Sequence, residues 1–545
     1  MKNERKDNNK QSVLKRIIYT ISILMTIVYI VYRIGFTLPI KLGIVGMICA
    51  IIVLLLEIWE AGDFFTYYLN ILNIKSKSPE VPKIKNESVY PDVDVLIATI
   101  NEPEGLLTKT IEACKGMKYP DKSKVHIYVC DDGNRAVVRQ MAESMGVGYI
   151  TRTNNKDAKA GNYNHALELI SSPLVATFDA DMMPTENFLM TTVPFFIKQV
   201  KVGFVQLPQS FTNPDIYQLR FGLSDKLPFE QDYFYHRIQI AKNETNSTVF
   251  CGTNAVISRE ALDAVNGFAL STISEDIATG MLIEEQGYKG IALNNVEAYG
   301  MAVNDLTAFT KQRSRWARGC VQIFKKYKIM ERAKLSFRQK LEYLSCISYW
   351  FFGLKRMIYL IAPLLFSLFG LIIVDCDLRT FVAIWVPTYL IKRFALDALE
   401  GNKRSATWNK IYETILTPVM FKEVLKELVG LGSSKFEVTP KTGWSKKMTR
   451  TNRSLLLVHT VFLILSIVAL AMSIVRITQT SVYVYILPLI LLGSNIFYLA
   501  TAVLFDLRVR PVKYDKFVPN KIMKYKRGTV LEMLASVSKK KFLKK

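Results

Sequence analysis

Carboxylate side chains follow three short runs of β-branched residues, and they are the clearest sign of chemistry in the sequence. The polar residues that end these runs are Thr99 and Glu102, Asp131 and Asp132, and Asp179 and Asp181. Crowded carboxylates repel one another unless a cation or hydrogen-bond donors neutralise them. Asp179 and Asp181 are two positions apart, so in extended backbone both side chains point to one side. This arrangement suits a hard divalent ion that bridges to phosphate oxygens. One such aspartate would favour turn capping, but three clusters favour a binding site.

Two further segments offer a cation and a base. Lys159 begins a KAGN sequence that opens a predicted helix, where a lysine and free backbone N–H groups attract an anion such as a nucleotide diphosphate. Glu275 and Asp276 follow Ser274 and precede an apolar helical run. These acidic residues either cap that helix or place one carboxylate in the cleft as a general base. The residues alone leave both interpretations open.

A third group lies on one predicted helix, residues 305–326. Gln312, Arg315 and Trp316 occupy positions i, i+3 and i+4, so they share one face of that helix. Arginine is a forked donor that matches phosphate, and an indole ring offers a flat apolar surface on which a sugar can stack. A structural cation–π contact explains the arginine and the tryptophan equally well.

Strand and helix signals alternate between residues 91 and 300, and this alternation would position the side chains above. The β-branched runs lie at 93–100, 125–130, 147–151 and 174–178, with helical stretches between them. This rhythm predicts βαβ units and a mostly parallel sheet with helices on both faces. Ligands of such sheets bind beyond the carboxyl ends of the strands, so the three acidic clusters should meet at one edge.

Apolar and charged residues are segregated along the chain. Half of the 545 residues are hydrophobic, yet 22% are charged, which predicts membrane spans attached to a soluble domain. The predicted spans are residues 17–31, 42–56, 357–374, 381–391, 455–475 and 482–505. Lys392 and Arg393 cut the fourth run short. It is counted because both chain ends are basic and therefore expected in the cytoplasm, which requires an even number of spans.

Amphipathic segments, the distribution of charge and the spacing of cysteines indicate which partners and which cellular location to expect. Residues 341–356 and 408–430 mix aromatic and charged side chains and are predicted to lie in the membrane interface. Much of the net charge of +24 is at the two chain ends, so attraction to anionic lipid is favoured over nucleic-acid binding. The seven cysteines lack metal-binding or disulfide spacing, which fits a reducing setting. We expect a multi-pass cell-membrane protein with cytoplasmic termini.

Taken in order, the motifs resemble those of processive family 2 glycosyltransferases, and most closely the catalytic subunits of bacterial cellulose synthases. The matching segments are DDG at 131–133, KAGN at 159–162, DAD at 179–181, FCGT at 250–253, SED at 274–276 and QxxRW at 312–316. The segment at 436–441 is a linker by composition but is similar to that family's gating loop. The family's usual TED is here SED, which keeps the acid, and its PilZ domain is not expected in the basic residues 506–545.

The resemblance implies a cytosolic α/β domain of the GT-A (Rossmann-like) type inserted between transmembrane helices. The implied regions are two N-terminal spans in 1–60, the glycosyltransferase domain in 61–340, interfacial helices, four spans and the gating loop in 341–505, and a basic tail in 506–545. The implied roles are uridine binding by Thr99, Glu102 and Asp131, diphosphate binding by Lys159, Gln312 and Arg315, and binding of Mg²⁺ or Mn²⁺ with UDP by Asp179 and Asp181. Asp276 would be the base, Trp316 would stack on the terminal sugar, Cys251 would lie near the acceptor, and Phe436, Val438, Thr439 and Lys441 would belong to the gating loop.

The function implied is polymerisation of glucose from UDP-glucose into a β-glucan, with β-1,4 or mixed β-1,3/1,4 linkage, and secretion through the spans. Its partners would be the UDP-sugar donor, the growing glucan, membrane lipid and any accessory subunits. One alternative is a synthase of a hyaluronan-like or chitin-like polymer from UDP-GlcNAc. Two others are a transporter with a nucleotide-sensing domain and a non-processive lipid-linked sugar transferase.

Overall fold

The structure is a computed structural model that describes residues 2–40, 43–72, 78–223, 227–270, 272–400, 406–432, 449–478 and 485–508. Within these ranges the strands are β1 Val93–Thr99, β2 Val125–Asp131, β3 Gly148–Ile150, β4 Leu174–Asp179, β5 Met183–Pro184, β6 Val202–Gln206, β7 Ser210–Phe211, β8 Ala255–Ser258, β9 Lys289–Ala292 and β10 Ala298–Gly300. The α-helices are α1 Lys2–Phe36, α2 Ile44–Leu72, α3 Glu104–Gly116, α4 Ala136–Ser144, α5 Ala158–Leu167, α6 Phe188–Lys198, α7 Ile216–Phe221, α8 Gln239–Lys242, α9 Arg259–Asp263, α10 Glu275–Glu285, α11 Leu306–Tyr327, α12 Phe337–Tyr349, α13 Phe352–Phe369, α14 Leu378–Glu400, α15 Ala406–Leu428, α16 Arg450–Ile477 and α17 Ile486–Leu507. Short 3₁₀ turns cover Glu87–Val89, Lys122–Lys124, Asn243–Thr245 and Ile329–Glu331, and a π-helical turn covers Phe234–Ile238.

The larger sheet has seven strands in the order β3-β2-β1-β4-β8-β6-β9. Strands β3, β2, β1 and β4 are parallel, β8 is antiparallel to both of its neighbours, and β9 is parallel to β6. The four β-branched runs of the sequence correspond to the four parallel strands, so the predicted α/β architecture is confirmed. β1 is buried along almost its whole length, because helices cover both faces of the sheet.

Five helices in the described part of the chain are long and apolar enough to cross a membrane. They are Arg16–Phe36, Ile44–Leu69, Phe352–Phe369, Arg450–Ile477 and Ile486–Leu507. The sequence predicts six spans, and the helix that does not qualify on composition is α14, which has 23 residues. The third span also begins earlier than predicted, because α12 ends at Tyr349 and α13 begins at Phe352.

The helix α14 nevertheless lies beside the first span over its length. Phe381 packs with Tyr29 and Tyr32 of α1 near one end, and at the other end the Tyr19 hydroxyl donates a hydrogen bond to the Ala395 carbonyl at 2.6 Å. The two charges that break its apolar run, on Lys392 and Arg393, line an internal cavity. Charged residues of membrane helices usually face such interior spaces, which explains why composition alone excludes α14.

The helix α15 is more buried than its amphipathic composition predicts. Ile411, Ile415, Met420 and Val424 belong to one buried cluster, which joins α15 to residues of α11, α12, α13 and α17. Gly353 of α13 lies so close to α15 that a Cβ on it would be 2.6 Å from the Met420 Cβ. The same cluster therefore packs α11 and α12 against the membrane helices α13 and α17.

Candidate active site

The acidic residues that follow the parallel strands lie side by side. Thr99 pairs in register with Asp131 across β1 and β2, and Ala98 pairs with Asp179 across β1 and β4. The three strands therefore end at a common edge of the sheet, as the alternation of strands and helices predicts. This is the edge at which parallel sheets bind their ligands.

Arg135 braces part of this edge, and sequence reasoning missed it. Its Nη2 donates to the Thr99 Oγ1 at 2.8 Å and to the Asp131 Oδ1 at 3.2 Å, and its Nη1 donates to the Glu102 carbonyl at 2.7 Å. The Asp131 side chain is fully buried and also accepts a hydrogen bond from the Tyr149 hydroxyl at 3.0 Å. Thr99, Glu102 and Asp131 thus form a rigid rim beside the cavity described below rather than its wall. The available signal was an arginine four residues after an acidic strand end.

Lys159 connects the strand edge to the loop before β8. Its Nζ donates to the Asp179 Oδ1 at 2.5 Å and to the Gly252 carbonyl at 2.8 Å. The Asp179 N–H donates to the Thr253 Oγ1 at 3.0 Å. Burial alone would lower the pKa of Lys159, but the negative groups around it, led by Asp179, raise it overall. The ammonium is therefore held charged at the point where a diphosphate would meet the sheet.

Asp276 faces the same loop from the first turn of α10. A Cβ built on Gly252 would lie 3.3 Å from both the Cβ and the Oδ2 of Asp276, and 3.6 Å from the Lys159 Nζ. Gly252 has a φ of +74°, in the region that favours glycine. The tertiary structure thus brings Asp276, Lys159 and Asp179 to one place from three distant parts of the sequence.

Electrostatics make the first turn of α10 a proton-accepting region. Burial raises the pKa of Asp276, against the opposing effects of the Ile277 N–H and of Lys159 and Arg315. Burial and the Asp276 carboxylate also raise the pKa of Glu275 to about 7. A carboxylate whose pKa is raised toward the working pH is a better general base. The structure is therefore compatible with both helix capping and base chemistry at this position.

The helix α11 packs directly against the chain that leads into α10. A Cβ on Gly319 would lie 2.0 Å from the Ser274 Oγ, so only glycine permits this approach. Gln312, Arg315 and Trp316 of α11 line the same cavity as Asp276. The shared face that their spacing predicts is thus turned toward the acidic cluster.

Trp316 has an aromatic and a cationic neighbour. The guanidinium of Arg313, not that of Arg315, lies 4.2 Å from the Trp316 ring centroid, and it also lies 4.6 Å from the Phe309 ring. Arg313 is buried and forms an ion pair with Glu230. Trp350 meets Trp316 edge-on, with centroids 5.9 Å apart. A cation–π contact on Trp316 therefore exists, but its cation is Arg313 rather than the Arg315 that the sequence suggested, and it orients the indole beside the cavity.

Asp179 and Asp181 are the residues that could hold a divalent cation. Both line the cavity, and carboxylate oxygens suit a hard cation. In the described ranges no group of three or more His, Cys, Asp or Glu side chains could hold a metal. Two carboxylates fit an ion whose remaining ligands come from a diphosphate and water.

One continuous cavity of about 1880 Å³ joins the acidic cluster to the membrane helices. The part of the cavity beside the sheet is lined by Lys159, Asp179, Asp181, Cys251, Glu275, Asp276, Gln312, Arg315 and Trp316. Its other part is lined by residues of α1, α2, α13, α14 and α17, which include Tyr29, Glu57, Glu60, Tyr359, Trp385 and Asn495. Asp276 and the residues around it therefore open directly into a space between the long apolar helices.

The remaining predicted residues fall into two groups. Cys251 lies in the cavity wall, where its N–H donates to the Gln206 Oε1 at 2.8 Å and burial raises the pKa of its thiol. Four residues of the predicted gating loop, which are Phe436, Val438, Thr439 and Lys441, lie outside the described residues.

Comparisons with known proteins identify two overlapping regions. A family model described as glycosyltransferase like family 2 matches residues 91–319, and one described as cellulose synthase matches residues 263–504. The cellulose synthase catalytic subunit [UDP-forming] of Pseudomonas fluorescens (strain SBW25) is 36% identical over 354 residues, which are 65% of this chain and 48% of that protein. The subunit of the same name from Xanthomonas axonopodis pv. citri (strain 306) is 33% identical over 376 residues, 69% of this chain and 51% of that protein.

The chain spans about half the length of these curated relatives. Among solved structures, the mannosyltransferase PcManGT from Pyrobaculum calidifontis, in complex with GDP-Man and Mn²⁺, is 19% identical with a TM-score of 0.46. The match covers 70% of this chain and 99% of that chain. The two family matches overlap and together follow the whole path from the first strand of the sheet to the last membrane helix. The chain belongs to the family 2 glycosyltransferases of the cellulose synthase type.

Proposed function

We propose that the chain is a membrane-embedded, processive, inverting glycosyltransferase that polymerises glucose from UDP-glucose into a β-glucan. The polymer leaves between the chain's own membrane helices, and both termini lie in the cytoplasm. The observation that carries this proposal is the continuous cavity of about 1880 Å³ from Asp276 to the membrane helices. A site that only transferred single sugars to a soluble acceptor would not need its acceptor end to open between membrane spans.

The donor binds along the carboxyl edge of the sheet. Thr99, Glu102 and Asp131 hold the uridine side of this edge, where Arg135 fixes their geometry. Lys159 and Arg315 face the diphosphate with two positive charges, and Gln312 adds an amide donor. Arginine and lysine are the usual partners of phosphate oxygens in proteins.

Asp179 and Asp181 would hold Mg²⁺ or Mn²⁺ together with the diphosphate. A bound divalent cation stabilises the negative charge that develops on the leaving diphosphate. Lys159 and Arg315 act in the same direction, because both cations line the cavity beside Asp179 and Asp181. No second, protonated carboxyl is then required to assist the leaving group, unlike in an inverting hydrolase.

Asp276 accepts the proton of the acceptor hydroxyl. As that oxygen bonds to C1 of glucose, the bond between C1 and the UDP oxygen breaks, and the proton moves to the Asp276 carboxylate. A single displacement inverts the anomeric carbon, so an α-linked donor yields a β-linked product. Trp316 supports the terminal sugar of the acceptor on its indole ring, and Cys251 borders the acceptor in the cavity wall.

The test is synthesis by the purified full chain in lipid nanodiscs with labelled UDP-glucose and Mg²⁺ or Mn²⁺. UDP release and a polymer are expected, and Asp276→Asn should lower both by about 10² to 10⁴, the usual contribution of a general base. Asp263→Asn is the matched control, because Asp263 is an exposed aspartate paired with Arg259 on α9. An Asp276→Asn variant as active as the control would remove Asp276 from the mechanism.

The product identifies the donor and the linkage. Digestion by a cellulase alone indicates β-1,4 linkage, whereas digestion by a lichenase indicates mixed β-1,3/1,4 linkage. Incorporation of UDP-GlcNAc in preference to UDP-glucose would replace the glucan proposal with an amino-sugar polymer. Binding of UDP-sugars without any UDP release would instead support a transporter with a nucleotide-sensing domain, and a single sugar on lipid would support a non-processive transferase.

A further inference from the structure

The side chain of Gln322, on α11, connects two segments that are distant in sequence. Its Oε1 accepts a hydrogen bond from the Ile273 N–H at 3.0 Å, and its Nε2 donates to the Glu427 Oε1 at 3.0 Å. Gln322 and Glu427 are each 9% exposed. Ile273 lies three residues before Asp276, and Glu427 lies in the last turn of α15.

The chemistry of the two partners determines which way the amide points. A backbone N–H can only donate, so it must meet the amide oxygen. An ionised carboxylate can only accept, so it must meet the amide nitrogen. Glu427 also accepts from the Arg318 Nε at 3.1 Å, one helical turn before Gln322. Glu427 thus orients the amide that holds the Ile273 N–H.

The segment before α10 packs closely against α11, so the hydrogen bond between Ile273 and Gln322 also constrains the start of α10. Gly319 lies one turn from Gln322 on the same helix, and its backbone approaches Ser274 so closely that a Cβ there would be 2.0 Å from the Ser274 Oγ. The Thr272 Oγ1 donates to the Gly319 carbonyl at 3.4 Å. Residues 272–274 are therefore held to α11 by the side chain of Gln322 and by direct backbone contact.

We infer that Gln322, oriented by Glu427, is a positioning residue that sets the main chain in front of α10 and so places the Asp276 carboxylate. The inference rests on the proposed function, because the position of Ile273 affects the reaction only if Asp276 is the base. Gln322 itself does not line the cavity. Its effect reaches the reaction only through Asp276.

The test reverses the polarity of the pair in the full chain in nanodiscs. Gln322→Glu places a second carboxylate against Glu427, and the resulting shift of the Ile273 segment should lower kcat about tenfold, because a 1 Å misplacement costs about 10² in rate. The KM for UDP-glucose should remain within about twofold, since displacement of a base removes a transition-state interaction rather than donor binding. The double variant Gln322→Glu/Glu427→Gln restores one donor and one acceptor between the two side chains and should recover most of kcat.

Gln339→Glu is the matched control. Gln339 is a buried glutamine on α12, and its side chain also makes hydrogen bonds on two sides, to Asn246 and Ser336. Gln339 lies in the N-terminal turn of α12. The Gln339→Glu substitution should therefore lower the stability of the protein without a specific loss of kcat. A fall in kcat as large in Gln339→Glu as in Gln322→Glu, or a double variant no better than Gln322→Glu, would overturn the inference.

Hydrogen exchange gives a readout that does not depend on catalysis. The peptide that covers residues 272–277 should exchange faster in Gln322→Glu than in the wild type, and it should return to the wild-type rate in the double variant. Unchanged exchange in Gln322→Glu would refute the positioning role even if the wild type made glucan. A wild-type chain that released no UDP, but showed the expected exchange pattern, would refute the proposed function and leave the positioning role of Gln322 supported.

Discussion

Replacement of Gly252 by alanine should impair the site through a single methyl group. The new Cβ would lie 3.3 Å from the Cβ and Oδ2 of Asp276, a spacing at which the aspartate must move by a few tenths of an ångström. If a 1 Å misplacement costs about 10² in rate, a shift of that size lowers kcat about three- to tenfold. The φ of +74° at this position adds a backbone cost of roughly 1–2 kcal/mol for a residue with a Cβ.

A control separates the backbone cost from the contact with Asp276. Gly146, after α4, has a φ of +67°, and a Cβ there would meet nothing within 4 Å. Gly146→Ala should therefore lose stability by a similar amount and keep the wild-type kcat. UDP release from UDP-glucose measures kcat, and thermal unfolding of the purified protein in the same nanodiscs measures stability.

Two results would refute this reasoning. Full kcat in Gly252→Ala, with the same loss of stability as Gly146→Ala, would mean that the loop and Asp276 are not in the contact described. An equal loss of kcat in both variants would mean that general destabilisation, rather than displacement of Asp276, reduces the rate.

Two further predictions address other parts of the site, and one addresses Glu284, a buried residue of α10. Lys159→Met removes the charged partner of Asp179 and should raise the KM for UDP-glucose about tenfold, as expected for a lost charge-assisted hydrogen bond, measured by initial rates of UDP release. Burial raises the pKa of Glu284 well above its usual range in the folded protein. The unfolded chain loses this proton at a lower pH than the folded protein does, so the stability of the wild type falls as the pH rises from the unfolded pKa toward the folded pKa. Glu284→Gln should therefore gain stability over the wild type progressively as the pH rises above about 5, measured by thermal unfolding, and a difference that is constant with pH would contradict the raised pKa. Arg313→Gln removes the cation 4.2 Å from the Trp316 ring and should shorten the polymer on a sizing column, whereas unchanged product length would show that the indole needs no such support.

Local sequence patterns were sufficient for the parallel strands and for the acidic residues that end them. β-branched runs of strand length determine where β1, β2 and β4 begin and end, and their alternation with helices places Asp131 and Asp179 at one edge. Most of the membrane helices were equally predictable, because a run of about 20 apolar residues has the length and hydropathy of a helix that crosses the bilayer. Fixed helical spacing was also sufficient to place Gln312, Arg315 and Trp316 on one face.

Long-range contacts account for what the sequence could not predict. The approach of Gly252 to Asp276 and the hydrogen bonds from Arg135 to Thr99 and Glu102 depend on how distant segments pack, and no periodicity encodes such pairs. For α14 the sequence shows only that Lys392 and Arg393 interrupt an apolar run, while the structure turns both toward the cavity.

Composition and spacing by themselves thus determined the kinds of groups present, the strands and helices that carry them, and the division into a soluble domain and membrane helices, because these follow from local periodicity and hydropathy. Only the tertiary structure decided that Asp276, Lys159 and the acidic edge converge, and that their cleft continues between membrane helices. That convergence results from close packing between segments about a hundred residues apart, such as the hydrogen bond from Lys159 to the Gly252 carbonyl, which joins residues 93 positions apart.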